Sequence, residues 1–393
     1  MKKLYTIIAL MFVITISKAQ WTQVNTGLAN DTVDALTTSG ANIFAGTLQG
    51  ASLSANNGGT WTSINTGLTT LDINIFAISG TNIFAGTYTG GVFLSTNNGG
   101  TWTAVNTGLT NLDVTSFAIS GSNIFAGTYG GGVFLSTNNG GNWTAVNTGL
   151  THLNINYLAI NGTNIFAGTY SSGGVFLSTN NGNSWTAVNT GLTNLNINFI
   201  TFSGTNIYAG TQGGGVFLST NNGGNWSAVN TGLTSLKVYA IAINGTNIFA
   251  GTQGGGVFLS TNNGGNWSAV NTGLTTNYVL ALAINGSNIF AGTYTGGVFV
   301  RSLSDILGVD ELQNEASFTI APNPFTSKTN ITFTNEQINT TIKITDILGN
   351  EIKTISFSGK EYTLEKDEMK AGIYFVQITD ANKNMVNRKV VVE

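Results

Sequence analysis

The stretch FAGTYTGGVFLSTNNGGTWTAVNTGL, Phe84 to Leu109, recurs with small changes along the whole middle of the chain. It reads as short runs of β-branched and aromatic residues cut by Gly and Asn, and nowhere carries the apolar period of a helix. One unit gives four strands, residues 73–79, 82–88, 91–96 and 101–106, joined by SGT, TGG and NNGG, where Gly and Asn accept positive φ. The second and third strands are apolar on both faces (Ile83-Phe84-Ala85 and Val92-Phe93-Leu94). A sheet with one wet face would alternate, so each small sheet must be covered on both sides.

The spacing says by what. The chain's seven tryptophans stand at 21, 61, 102, 143, 185, 226 and 267, a step of 40 to 42 residues. Several short strands per period of this length predict an all-β protein, a seven-bladed β-propeller over residues 20–301. The phrase FAGT or YAGT also occurs seven times, from Phe44, Phe84, Phe125, Phe166, Tyr208, Phe249 and Phe290. Trp21 has no strands before it, and the last FAGT phrase has no Trp strand after it. The two offsets cancel if residues 21–25 supply the outer strand of the last blade, which closes the ring and leaves no blade face in water. An open superhelix, ending in atypical capping units, is the alternative.

Charge divides the chain. Between Trp21 and Val300 the only ionisable residues besides tyrosine are Asp31, Asp34, Asp72, Asp113, Lys237 and His152. Beyond Arg301 there are 13 acids and 9 Lys or Arg, an ordinary density that marks a second domain after a linker at 302–317. A net charge of −3 supplies no field for phosphates, so nucleic acid is not expected as a partner. There is no cysteine, hence neither disulfide nor thiolate metal site, and no cofactor or metal is expected. At the N-terminus Lys2 and Lys3, the apolar run 4–16 and Ser17-Lys18-Ala19 read as a signal peptide, residues 1–19, cut before Gln20. The run falls short of the roughly 20 residues of a spanning helix, and no later segment reaches that length.

STNNGGTW, Ser95 to Trp102, resembles the Asp-box of sialidase-like (BNR-type) propellers, Ser-x-Asp-x-Gly-x-Thr-Trp. Six copies open at Ser54, Ser95, Ser136, Ser178, Ser219 and Ser260, each with Asn at the acidic position: Asn56, Asn97, Asn138, Asn180, Asn221 and Asn262. An Asn oxygen still accepts turn N–H groups, so Ser95, Asn97, Gly99 and Trp102 and their equivalents read as structural. Calcium there is disfavoured without a carboxylate. The resemblance implies a propeller whose boxes face away from the active site. It does not carry sialidase chemistry, because that family's arginine cluster has no counterpart: Arg stands only at 301 and 388. Other Asp-box propellers hydrolyse β-glucans with two acids, and Asp72 and Asp113 hold equivalent places on adjacent blades, so a polysaccharide hydrolase is one alternative. A structural surface protein is another.

Comparing the units with one another shows where the sequence is free. Eleven residues after each Trp stand Thr32, Asp72, Asp113, Asn154, Asn196, Lys237 and Tyr278. Two further on stand Asp34, Asn74, Thr115, Asn156, Asn198, Tyr239 and Leu280. After AGT the turn reads Leu48, Tyr88, Tyr129, Tyr170, Gln212, Gln253 and Tyr294. In a propeller these loops share one rim. Tyrosines and amides with few charges, and His152 nearby, suit a neutral ligand such as a glycan or surface polymer, since rings stack on sugars and amides match hydroxyls. Variation of solvated loop tips would give the same pattern without function.

The last 76 residues, 318–393, read as a small β-sandwich-like domain: SFTIAPNPF, TNITFT, TTIKITDILGNEI, AGIYFVQITD and NRKVVVE, with turns at LGN and DANKN. In order and in terminal position these resemble the type A sorting domain of type IX secretion. The resemblance implies the type IX machinery as a partner, export across the outer membrane, and a released or surface-held passenger that acts as a binding or adhesion module.

Overall fold

The computed structural model describes residues 20–307, 318–346, 349–367, 369–379 and 385–393. The expected signal peptide and the DANKN turn lie outside them. The chain divides into two compact units, at Ile306/Leu307.

The first unit is seven four-stranded antiparallel sheets. In the second blade the strands are Ile73–Ser79, Asn82–Thr87, Val92–Ser95 and Thr103–Ala104, so the fourth is shorter than its sequence suggests. The first strands of successive blades lie side by side around an axis, Val279–Asn285 of the seventh returning against Val33–Ser39 of the first. This is a closed β-propeller. Its seventh sheet takes its outer strand from the other end of the chain: Thr22 pairs with Val300 and Gln23 with Phe299.

What joins the blades is written in the letters that do not change. Each tryptophan indole donates to a carbonyl on the outer strand of the preceding blade, at 2.7 to 2.8 Å: Trp61 to Val24, Trp102 to Ile64, Trp143 to Val105, Trp185 to Val146, Trp226 to Val188, Trp267 to Val229. Trp21 completes the ring by donating to Val270 at 2.7 Å. The same tryptophans give their backbone N–H to the Thr carbonyl of the preceding NTG, as Trp143 does to Thr107 at 2.8 Å and Trp21 to Thr272 at 2.9 Å. The glycine of each NTG must then pass the next tryptophan at close quarters. Gly108 has φ +81°, and a Cβ there would collide with the Trp143 carbonyl oxygen. The buried side chains pool between neighbours, and Phe290 and Val298 of the last blade join Val33, Ile43, Ala45 and Trp61 of the first in one cluster.

The NNGG turns explain the substituted box. Ser95 Oγ accepts the Gly99 N–H at 2.8 Å and donates to Asn97 Oδ1 at 2.9 Å, and that oxygen also accepts the Thr101 N–H at 2.9 Å. A carboxylate would accept the same two bonds. The amide also donates from Asn97 Nδ2 to Thr101 Oγ1 at 3.0 Å, where a carboxylate would instead accept from the hydroxyl, and this is repeated at Asn56–Thr60 and Asn180–Ser184. Asn98, at φ +55°, takes the left-handed corner that Asn tolerates.

Leu303–Leu307, inside the expected linker, forms one helical turn. The second unit is a five-stranded antiparallel sheet of Phe318–Ala321, Lys328–Asp346, Glu351–Glu365, Gly372–Thr379 and Met385–Val392. TNITFT and TTIKITD belong to one long strand, because NEQIN between them holds neither Gly nor Pro. The register instead breaks between Thr332 and Thr340, so that Ile331 and Phe333 from one half and Ile342 and Ile344 from the other enter a single core. The PNPF segment holds the last strand: Asn323 accepts the Val391 N–H at 2.8 Å and donates to the Lys389 carbonyl at 3.0 Å. Among the described residues no helix is long and apolar enough to cross a membrane.

Replacing an interior tryptophan removes a buried indole and orphans the carbonyl it serves. Trp143→Ala is therefore expected to lower unfolding free energy by about 3–5 kcal/mol, read by chemical denaturation.

Candidate functional site: the mouth of the axial channel

The innermost strands surround a channel of about 460 Å³. The residue aimed into it from each strand is set by a repeated irregularity. Every first strand changes register against its neighbour between its first and third residues, at Val33/Ala35, Ile73/Ile75, Val114/Ser116, Ile155/Tyr157, Ile197/Phe199, Val238/Ala240 and Val279/Ala281. The residue left over is a bulge, and a bulge re-aims its side chain. These seven are Asp34, Asn74, Thr115, Asn156, Asn198, Tyr239 and Leu280, and all seven line the channel.

Four of them also tie one blade to the next. Asn74 donates to the Val114 carbonyl at 3.0 Å, Thr115 to Ile155 at 2.6 Å, Asn156 to Ile197 at 2.8 Å and Asn198 to Val238 at 2.9 Å. An ionised Asp34 cannot donate such a bond, and Leu280 has no polar group. The channel thus has an amide and hydroxyl arc on blades two to five and an arc of Tyr239, Leu280 and Asp34 opposite. Within the amide and hydroxyl arc, Tyr157 of blade four lies against Phe199 of blade five, ring centroids 4.1 Å apart, and burial pushes its hydroxyl pKa up.

Above the bulges the two other variable sets meet on one rim. The backbone N–H of Tyr88 donates to the Asp72 carbonyl at 3.1 Å, and Tyr129 to Asp113, Tyr170 to Asn154, Gln212 to Asn196, Gln253 to Lys237 and Tyr294 to Tyr278 follow at 2.9 to 3.0 Å. Isolated bridges between Tyr129 and Asn154 and between Gln253 and Tyr278 carry the contact across blade boundaries. Tyr170 and Gln212 reach the channel wall, where Asn198 donates to Gln212 Oε1 at 3.0 Å. Tyr88, Tyr129 and Tyr294 are exposed. His152 is separate from the channel, packed against Phe176 at 6.4 Å between ring centroids and against Gly173.

The acids gather on blades one to three. Burial, and secondarily the charge of Asp72, raises Asp34 to about 6. The same two causes raise Asp113 to about 6, opposed by a hydrogen bond from Asn74. Burial raises Asp72 as well. On blade seven, which adjoins that of Asp34, Tyr278 lies between Tyr239 and Tyr294 with centroid separations of 5.4 and 5.1 Å, and its hydroxyl pKa is raised by burial, by these neighbours and by the charge of Asp34. Among the described residues no three His, Asp or Glu side chains stand together as a metal site would require. Sequence comparison registered Asp34 and Tyr239 only as variable letters. That they project into the channel depends on the bulge, which no turn residue announces.

Residues 319–393 match the secretion system C-terminal sorting domain family. The C-terminal module is a sorting domain. It directs export by type IX secretion to the cell surface or the extracellular space. A curated endo-acting ulvan lyase of Formosa agariphila is 37% identical over 90 residues, which are 22% of this chain and 17% of the lyase. Among solved structures, PorZ of Porphyromonas gingivalis, an essential surface component of the type IX secretion system, has a TM-score of 0.59 at 16% identity, over 94% of this chain and 60% of its own. The GH74 xyloglucanase of Xanthomonas campestris has a TM-score of 0.55 at 18% identity, over 73% of this chain and 54% of its own. This chain therefore spans less than two thirds of each of these proteins, and the structural likenesses concern the propeller fold.

Asp34 also has a testable cost. Its folded pKa lies above the 3.8 of a free carboxyl, so its penalty is absent below about pH 4 and complete above about pH 6. Asn in its place would be uncharged and, as at 74, 156 and 198, able to donate to the next strand. Asp34→Asn should stabilise the propeller by about 2 kcal/mol at pH 8, with the gain shrinking toward pH 4, read by denaturation at the two pH values.

Proposed function

We propose that the exported propeller is a binding or adhesion module that holds a glycan or surface polymer at this mouth. One observation carries the reading: positions that differ among otherwise near-identical repeats converge at one end of the channel, and most of them are tyrosines or amides. Exposed rings beside amides are what recognition of a polyhydroxylated, uncharged ligand uses. Asp34 supports the same reading, since a residue kept at a cost to stability is more often functional than structural.

The propeller presented by export to the outside meets such polymers first. Replacing Tyr88, Tyr129 and Tyr170 together with Ala should weaken retention on arrayed neutral polysaccharides by about tenfold or more, on the scale of lost stacking area. Unchanged retention would remove the rim from the account.

A second reading rests on the raised pKa values of Asp72 and Asp113. A carboxyl that keeps its proton near pH 6 beside one that has lost it is what acid-assisted glycoside hydrolysis needs. Reducing-sugar release from β-glucan that disappears in both Asp72→Asn and Asp113→Asn would establish hydrolysis; binding without release, unaltered by either change, is the outcome expected of a binding module.

A further inference from the structure

The rings at the mouth are not evenly spread. Tyr239, Tyr278 and Tyr294 form a ladder on blades six and seven, with Tyr278 and Tyr294 stacked at an interplanar angle of 26°. Tyr129 and Tyr170, on blades three and four, form a second pair at 6.3 Å. One blade, the fifth, lies between the two groups one way and two, the first and second, the other, so the Tyr278–Tyr294 stack on blade seven stands nearly opposite the pair across the channel. Between them the channel wall presents Asn156, Asn198 and Gln212 on one side and Asp34 and Asn74 on the other. Two aromatic platforms with a polar gap between them suit a ligand long enough to touch both.

We propose that the mouth takes an internal stretch of an extended, uncharged polysaccharide, laid across the channel from the Tyr278–Tyr294 ladder to the Tyr129–Tyr170 pair. This rests on the glycan-binding reading above and adds direction and length to it. A sugar ring stacks on one platform with modest affinity. A chain that reaches both turns the second contact into an intramolecular one and gains strongly without any new kind of contact. Charge selects as well. In this unit's loops and inner strands Asp31, Asp34, Asp72 and Asp113 outnumber the single cation Lys237, a balance that repels acidic polymers at neutral pH.

The test uses the full-length chain and arrays of cello-, xylo-, manno- and laminari-oligosaccharides of graded length, with alginate oligosaccharides as the acidic series. Retention of a neutral series should rise steeply once the chain is long enough to span the mouth, with alginate not retained at pH 8. Tyr278→Ala/Tyr294→Ala and Tyr129→Ala/Tyr170→Ala should each reduce the longest neutral chain to the retention of the short ones, a loss of about tenfold or more. Full retention of the shortest sugars, or a loss from only one of the two double variants, would overturn the crossing geometry while leaving glycan binding intact. No retention of any neutral glycan would overturn the binding reading and this inference together. Thermal melts of both variants, expected to match the parent because the exchanged rings lie at the surface or rim, separate lost contact from lost fold.

Discussion

Each tryptophan of the repeat reaches backward over a blade boundary, its indole N–H on one carbonyl and its backbone N–H on another, while the preceding blade's NTG glycine leaves room for it. The two donors of each buried tryptophan and the two carbonyls of the preceding blade are satisfied together only when adjacent blades meet in this register. A buried polar group without its partner costs more than the bond itself returns, so the seam admits little slippage. Seven such seams make a ring, and the seventh is made by Trp21, 249 residues in sequence from the Val270 carbonyl it serves but adjacent to it in space. A linear array of blades would present two hydrophobic flanks to water. Closure removes both.

That constraint explains the odd composition. Nearly every unchanging letter has a partner: the Asn of VNTG holds the turn between the second and third strands, as Asn106 does through Gly90 and Val92, and the Thr of AGT bonds that turn from beneath, as Thr87 does to Gly91. The Gly of AGT faces the next blade's first inner residue, Gly86 against Val114, at a distance no side chain would fit. Charges are few because a surface made of tight turns is satisfied by amides and hydroxyls. The fold was legible for this reason. Seven Trp, seven FAGT and the two unmatched ends specify blade number and closure before any coordinates.

The site was legible only in outline. Variation among repeats marked Tyr88, Asp72 and their equivalents, and backbone bonds between the two sets follow from the turn chemistry. What the letters did not disclose is the register shift that turns Asp34, Asn74 and Tyr239 into the channel, since a bulge changes direction without changing residue type. Nor did they disclose that a ring of donors to the next strand runs from Asn74 to Asn198 while Asp34 and Leu280 stand outside it. The C-terminal module showed the complementary case. Its order of motifs identified it, yet the merging of TNITFT and TTIKITD into one strand, which a NEQIN without Gly or Pro permits, is completed by pairing of both halves with Glu351–Glu365.

The closed ring makes a demand on the terminus that an open one would not. Residues near the end of a domain usually fray, and changes there usually cost little. Trp21 in the full chain, changed to Ala, gives the most direct measurement, by denaturant unfolding followed beside the parent. Ring closure predicts a loss of about 3–5 kcal/mol, as large as for a tryptophan in the middle of the array. Unfolding that coincides with the parent's would contradict it.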